Sequence, residues 1–302
     1  MSPDSRRAVQ LLRQGLRCIT APNPSRMTAS GTNTYLLGLA ELAIIDPGPD
    51  DGGHFDRIMQ EVGAGNAISR ILVTHAHLDH TALAPRLARA TGAELLGWSP
   101  SAGLCSPRLQ ELAAAIDLGG GEGMDRAFRP DRTLADGETI SSSEWTIEAV
   151  RTPGHTGDHL CFAWPERSCM FTGDHVMGWS TTLVSPPDGD MGAYMRSLQK
   201  LMARPEGTYF PGHGGPILDP RSELQSQHDH RLAREHSIVA CLRPGPATVT
   251  AITMAIYQDL HPGLARYAER NVLAHLLDLL TRGRVQLHEG STASHHRFSL
   301  LD

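Results

Sequence analysis

The sequence predicts an α+β fold: a layered unit of short strands and helices up to about residue 222, then a smaller helical unit with a winged-helix-like pattern. Three observations carry this. Short apolar runs alternate with amphipathic helical stretches. Polar phrases rich in His, Asp and Gly begin where the predicted strands end. After residue 222 the strands give way to three helices and one short strand.

Leu42-Ala43-Ile44-Ile45 reads as a strand running into Asp46, and Ile71-Leu72-Val73 as one running into Thr74-His75. Ile147-Glu148-Ala149-Val150 alternates as a half-buried strand should and heads toward His155. Cys161–Trp164 and Cys169–Phe171 read as a hairpin around Pro165-Glu166-Arg167, and Thr208-Tyr209-Phe210 leads into Pro211-Gly212-His213. Helical periodicity marks Phe55–Val62, Thr81–Thr91, Ser106–Ile116 and Met191–Met202. Gly119–Gly123 reads as a flexible loop; without a following Lys-Ser/Thr it is not a phosphate loop.

Beyond residue 222, helices are expected over Leu224–Leu242, Val249–Tyr257 and Gly263–Thr281, with Thr248 or Thr250 as an N-cap. Gly283 ends the pattern, and Arg284-Val285-Gln286-Leu287 reads as a strand. The expected division is 17–222 catalytic, 223–290 winged-helix-like and 291–302 polar tail.

Composition narrows the function classes. At 302 residues, 40% hydrophobic and 20% charged, the chain can bury a sizeable core. A net charge of −6 gives no general pull toward nucleic acid or an anionic membrane. From Glu223 to Asp302 eight arginines face eight carboxylates, so the C-terminal unit lacks the basic excess of a groove-binding helix. That favours a role at the active-site mouth or in an oligomer contact, such as a homodimer. The N-terminal Met1–Arg7 leads into no apolar run long enough for a signal peptide or a membrane span. Cys18, Cys105, Cys161, Cys169 and Cys241 are scattered, with no CxxC spacing, as in reduced thiols. A cytoplasmic protein is expected.

The 16 histidines are the compositional outlier. Four phrases concentrate ligand chemistry: His75-Ala76-His77-Leu78-Asp79-His80, His155 after Thr152-Pro153-Gly154, Asp174 after Phe171-Thr172-Gly173, and His213 after Pro211-Gly212. Imidazole and carboxylate suit zinc, with iron and manganese also compatible. Three His and one Asp on one tight loop are too many for one ion. Two neighbouring divalent ions can use them if His155, Asp174 and His213 complete the shells, with Asp174 bridging. A water between two such cations loses a proton near neutral pH and becomes a nucleophile. Asp79 would be a ligand and also orient that water. Asp46 reads either as a turn former or as an acceptor that fixes a ligand imidazole. Asn33 reads as a pocket or turn residue, and His175 as a packing, supporting or substrate-facing residue.

These phrases resemble the metallo-β-lactamase superfamily: its HxHxDH signature matches His75, His77, Asp79 and His80 without a gap, and the later His, Asp and His follow in order. The resemblance covers about residues 17–222. It implies a four-layer αββα sandwich with the metals at one edge: His75, His77 and His155 on one ion, Asp79, His80 and His213 on the other, Asp174 shared. Asn23-Pro24-Ser25-Arg26-Met27, followed by Gly31-Thr32-Asn33-Thr34-Tyr35-Leu36, is similar to the β-lactamase-like protein 2 branch, which carries a C-terminal winged-helix-like domain. The expected activity is a dinuclear metal-dependent hydrolase using a metal-bridging hydroxide on a small-molecule ester or thioester. The alternatives are a single-strand RNA endonuclease, with RNA as partner, and a non-enzymatic metal-binding regulator.

Overall fold

The computed structural model describes residues 15–99, 106–259, 261–288 and 295–301. Met1–Arg7, Cys105 and residues 291–294 of the expected tail lie outside them.

Side-chain alternation builds the layers. β1 (Leu16–Thr20), β2 (Asn33–Leu37), β3 (Glu41–Ile45), β4 (Ala67–Leu72), β5 (Glu94–Gly97) and β6 (Arg132–Thr133) form a six-stranded sheet in that spatial order. β1, β2 and β3 pair antiparallel, and β3 to β6 run parallel. In β3, Leu42 and Ile44 point to one face and Ala43 and Ile45 to the other, as a two-residue period requires. The first face packs against Ile58 and Val62 of the helix Gly52–Val62 and Leu87 of the helix Ala84–Thr91.

The second face meets a five-stranded sheet made of β7 (Thr139–Ser141), β8 (Thr146–Arg151), β9 (Leu160–Trp164), β10 (Cys169–Gly173) and β11 (Thr208–Pro211), in the order β11-β10-β9-β8-β7. Leu160, Phe162 and Trp164 of β9 fill the space between the sheets; Cys161 and Ala163 face outward onto the helix Met191–Met202 through Tyr194, Leu198 and Leu201. Helix, sheet, sheet and helix therefore stack in four layers.

The C-terminal unit comprises the helices Pro220–Leu242, Val249–Ile256 and Ala265–Thr281 and a small sheet of β12 (Ala247–Thr248), β13 (Val285–His288) and β14 (Arg297–Leu300), ordered β12-β14-β13. The Thr248 side chain caps its helix, accepting the Ala251 N–H at 3.1 Å. The helix Pro220–Leu242 begins before residue 223, because Asp219 accepts the Ser222 N–H at 3.1 Å and Pro220 suits the first turn. Its Leu224 belongs to the core beneath the second sheet, while Ile238 and Leu242 belong to the core of the C-terminal unit.

Two expectations are corrected. The helix expected over Thr81–Thr91 is two, Leu78–Thr81 and Ala84–Thr91, with Pro85 in the first turn of the second. The expected tail over 291–302 is not loose throughout: Arg297–Leu300 is the central strand of the small sheet, because Phe298, fully buried, plugs the C-terminal core.

Candidate metal centre

The loops at one edge of the two sheets carry all four polar phrases. After β4 the chain runs through Thr74 to His75 and turns into the short helix Leu78–Thr81, which brings Asp79 and His80 round beside His75. Buried carboxylates hold this segment. Asp46, at the end of β3, accepts the Thr74 N–H and hydroxyl, each at 2.8 Å, and Asp158 accepts the Ala76 N–H at 2.8 Å. Asp174 follows β10 and His213 follows β11, with Gly212 N–H donating to Gly173 O at 2.8 Å between them. Gly212 has no room for a side chain: a Cβ would stand 2.6 Å from Asp174 Oδ1 and 2.8 Å from His80 Cε1.

Two donor sets result, His75–His77–His155–Asp174 and Asp79–His80–His213, with ligand atoms within 4.8 Å of one another in each. In the first set His75 Nε2 lies 2.9 Å from His77 Nδ1, and His155 Nε2 lies 3.1 Å from the same atom. Nδ1 of His155 donates to Leu183 O at 2.7 Å, so its Nε2 presents a lone pair. In the second set His213 Nε2 stands 3.3 Å from both Asp79 Oδ2 and Asp174 Oδ1, and His80 Nε2 stands 3.5 Å from the same two oxygens. The other oxygen of Asp174, Oδ2, is 3.8 Å from His155 Nε2, so each of its oxygens looks at a different set.

This chemistry fits cations. His80 Nε2 and Asp174 Oδ1 are buried without a hydrogen bond of acceptable geometry. Three imidazole nitrogens aimed at one another cannot all be satisfied by protons, whereas one cation accepts every lone pair. Burial, then the His80, His77 and His155 imidazoles, hold His75 well below the usual histidine range. Burial and His155 bring His77 down to about 3, and burial lowers His155. In the second set burial also opposes charge, but Asp79, Asp46 and Asp174 outweigh it and raise His80 to about 9; Asp174 and Asp79 raise His213 to about 11. Protons on these two imidazoles hold the position that a divalent cation would take.

Of the other predicted residues, Asp46 is within reach of a ligand: its Oδ2 accepts from His80 Nδ1 at 2.9 Å, which turns Nε2 toward Asp79 and Asp174. Asn33 is in a strand rather than a turn and faces inward, its amide donating to Pro211 O at 3.1 Å and Gly214 O at 2.9 Å. It braces the His213 loop. His175 is fully buried against Tyr194, ring centroids 4.7 Å apart, and lines none of the clefts described below. Sequence reasoning missed Thr32, whose hydroxyl donates to Asp79 Oδ2 at 3.0 Å, and Asp158. It also missed Thr182 and Leu183, which hold His155. Asp158 had a usable signal, lying three residues after His155; the others had none.

A family model for the metallo-beta-lactamase superfamily matches residues 27–213, and one for the beta-lactamase associated winged helix domain matches 248–293. The chain belongs to the metallo-beta-lactamase superfamily. It is 31% identical over 278 residues to an atrochrysone carboxyl ACP thioesterase of Aspergillus fumigatus, covering 86% of this chain and 78% of that protein. It is 29% identical to a beta-lactamase-like protein 2 homolog of Drosophila melanogaster, covering 93% and 92%. A solved beta-lactamase domain protein from Burkholderia ambifaria shares the fold, with a TM-score of 0.78 at 22% identity over 95% of this chain and 91% of that one. The chain is a hydrolase of this superfamily, and it presents a His/Asp cluster suited to divalent metals.

In this superfamily member the C-terminal unit walls the site. A pocket of about 120 Å³ is lined by His77 and His155 together with Gly121, Glu122, Arg266 and Arg270. The glycine-rich loop expected to be flexible thus supplies one side of it. Leu183 and Tyr267 are shared with a second, larger cleft of about 390 Å³, whose walls include Met27, Met177, Trp179, Tyr257 and Leu264.

Proposed function

We propose that this chain is a dinuclear metal-dependent thioesterase whose substrate carries a largely apolar acyl group. The observation that carries the reading is the shared wall of Leu183 and Tyr267: it sets the small pocket at His77 and His155 beside a Met- and aromatic-lined cleft. A carbonyl could sit beside the ligands while its acyl chain lies in that cleft. The thioesterase names of the Aspergillus relatives support the same bond class.

By this reading His75, His77 and His155 hold one cation, Asp79, His80 and His213 the other, and Asp174 faces both. Bound there, two divalent cations would lower the pKa of a water and offset charge developing on the substrate oxygen. The chain's own residues set the geometry. Asp46 orients His80, Leu183 O and the Thr182 hydroxyl orient His155, and Thr32 holds Asp79. The Asp79 side chain is 30% exposed, so its carboxylate could also orient the attacking water. The donor set leads us to zinc, with iron and manganese suited to the same atoms. Four thiols, Cys18, Cys161, Cys169 and Cys241, are free, in keeping with a cytoplasmic location. Among the described residues no helix is long and apolar enough to cross a membrane.

The test is a substrate panel on purified protein of known metal content: an acyl thioester, a p-nitrophenyl phosphodiester and a single-stranded RNA. Thioester turnover that His77→Ala and Asp174→Ala abolish, together with loss of bound metal, is expected. Turnover of RNA alone, or two metals retained by both variants, overturns the reading.

A further inference from the structure

The larger cleft has positive charge on its walls and no negative charge. Arg26, His230 and Arg231 line it, and no Asp or Glu does. Arg231, buried, donates to Asn271 Oδ1 at 3.2 Å and to Thr182 O. Arg26 has the His261 ring as its neighbour. Among the described residues neither arginine pairs with a carboxylate. In a chain of net charge −6 this cleft is a local exception. The pocket at His77 and His155 differs: there Arg266 pairs with Glu122, and Arg126 with Asp188. His230 feels the field of the cleft. Burial, then Arg231 and Arg234, hold its imidazole below the usual histidine range, with no carboxylate opposing them.

Arg26 is exposed where it lines the cleft, so its donors are open to a ligand. Its Nη2 stands 3.4 Å from His261 Nε2. Nδ1 of His261 accepts the Gly263 N–H at 3.0 Å, which puts the ring proton on Nε2. Two donors therefore point at one place, and an anionic oxygen there would accept from both. The remaining wall is largely apolar or aromatic, with Met27, Met177, Trp179 and Tyr257. The volume of about 390 Å³ lies within the roughly 300–1,000 Å³ of small-molecule sites.

We propose that this cleft binds an organic anion, an apolar body whose acidic head is held by Arg26 and His261. The substrates are then thioesters whose acyl group carries a carboxylate at the end remote from the thioester. That substrate assignment rests on the thioesterase reading; the binding of the anion does not.

Binding is tested first, by calorimetry of octanesulfonate and octanol with the full-length metal-loaded protein. A sulfonate is used because a carboxylate would also ligate the metals. Octanesulfonate is expected to bind roughly tenfold tighter or better; tenfold is about 1.4 kcal/mol. Arg26→Glu is expected to remove that preference, and Arg26→Lys to keep most of it. Should Arg26→Glu fail to fold, Arg26→Gln takes its place. Equal affinity for the two probes, or a preference that Arg26→Glu leaves intact, overturns the proposal. Adenosine monophosphate binding more tightly than octanesulfonate, and no longer doing so in Arg26→Glu, overturns the organic acid in favour of a nucleotide.

Turnover is tested next, with decanedioyl and decanoyl thioesters of N-acetylcysteamine, which differ only at the remote end. Wild type is expected to favour the decanedioyl substrate by roughly tenfold in kcat/KM, through KM, and Arg26→Glu to bring the ratio near one. No preference in wild type, or equal slowing of both substrates in the variant, overturns the acyl assignment. A preference for a decanoyl thioester of phosphopantetheine that Arg26→Glu abolishes also overturns it, by putting the anion on the thiol. If octanesulfonate binds as expected and no thioester is turned over, the thioesterase reading fails while the anion site stands.

Discussion

Asn271 Oδ1 accepts the backbone N–H of Val184 at 3.1 Å. Asn271 lies on the helix Ala265–Thr281 of the winged-helix unit, and Val184 follows Leu183, the residue whose carbonyl holds His155. Arg231, on the helix Pro220–Leu242, donates to the carbonyl of Thr182 one residue earlier. The C-terminal unit therefore reaches a candidate metal ligand through a few atoms of backbone. Asn271→Ala leaves the Val184 N–H unpaired and loosens His155. Metal held by the first donor set should weaken roughly tenfold. Asn271→Asp keeps the acceptor and should lose less. Metal retention against a graded series of chelators reads the difference; equal retention in wild type and both variants would falsify the linkage.

Asp46→Asn replaces an acceptor that serves both the Thr74 hydroxyl and His80 Nδ1. The amide can serve only part of that role, so His80 is free to turn. Metal affinity at the second set should fall by roughly 10- to 100-fold. Elemental analysis should then find closer to one ion per chain than two. Full retention of two ions would show that His80 needs no such support.

Metal uptake should be coupled to protons. Without a cation, His80 titrates near 9 and His213 near 11, so both carry protons at neutral pH. Loading the second set should release up to about two protons and tighten as pH rises. Calorimetry in buffers of different ionisation enthalpy counts them, and an uptake independent of buffer would contradict the assignment. The same two groups help stabilise the metal-free fold. Their contribution is complete below the unfolded value of 6.5 and is lost as pH rises through the folded values of about 9 and 11.

His175 works in the opposite sense. Burial, then the His155 and Arg231 charges, hold it near 3. Below pH 6.5 the unfolded chain binds a proton that the folded chain refuses, so stability falls as pH drops from 6.5 toward 3. His175→Phe removes this contribution along with two buried nitrogens that have no partners. Urea midpoints of metal-free protein at pH 5 and 7.5 should lie closer together in the variant. An unchanged gap would mean that other histidines, such as His77, carry the acid sensitivity.

The ligand phrases could be read in the sequence because each follows a strand, and strand ends of one sheet edge converge. His75, His77, Asp79, His80, His155, Asp174 and His213 lie together for that reason. The supports of His155 could not be read. Leu183 acts through its carbonyl, which any residue possesses, and Asn271 is 87 residues from Val184. Asn33 reads in the sequence as either a pocket or a turn residue, since a lone polar side chain does not say which groups it meets; in the fold its amide satisfies the Pro211 and Gly214 carbonyls. β14 was hidden because its four residues alternate only once, Phe298 and Leu300 against Arg297 and Ser299, too short a signal for a strand.

The helix Pro220–Leu242 contributes Leu224 to one core and Ile238 and Leu242 to another. A continuous rod embedded at both ends leaves no hinge where the halves could part. Cleavage near residue 222 would not liberate two working modules; it would strip one wall from each. The winged-helix unit is thus not cargo that could be exchanged between relatives as a cassette, and the chain should melt in a single calorimetric transition.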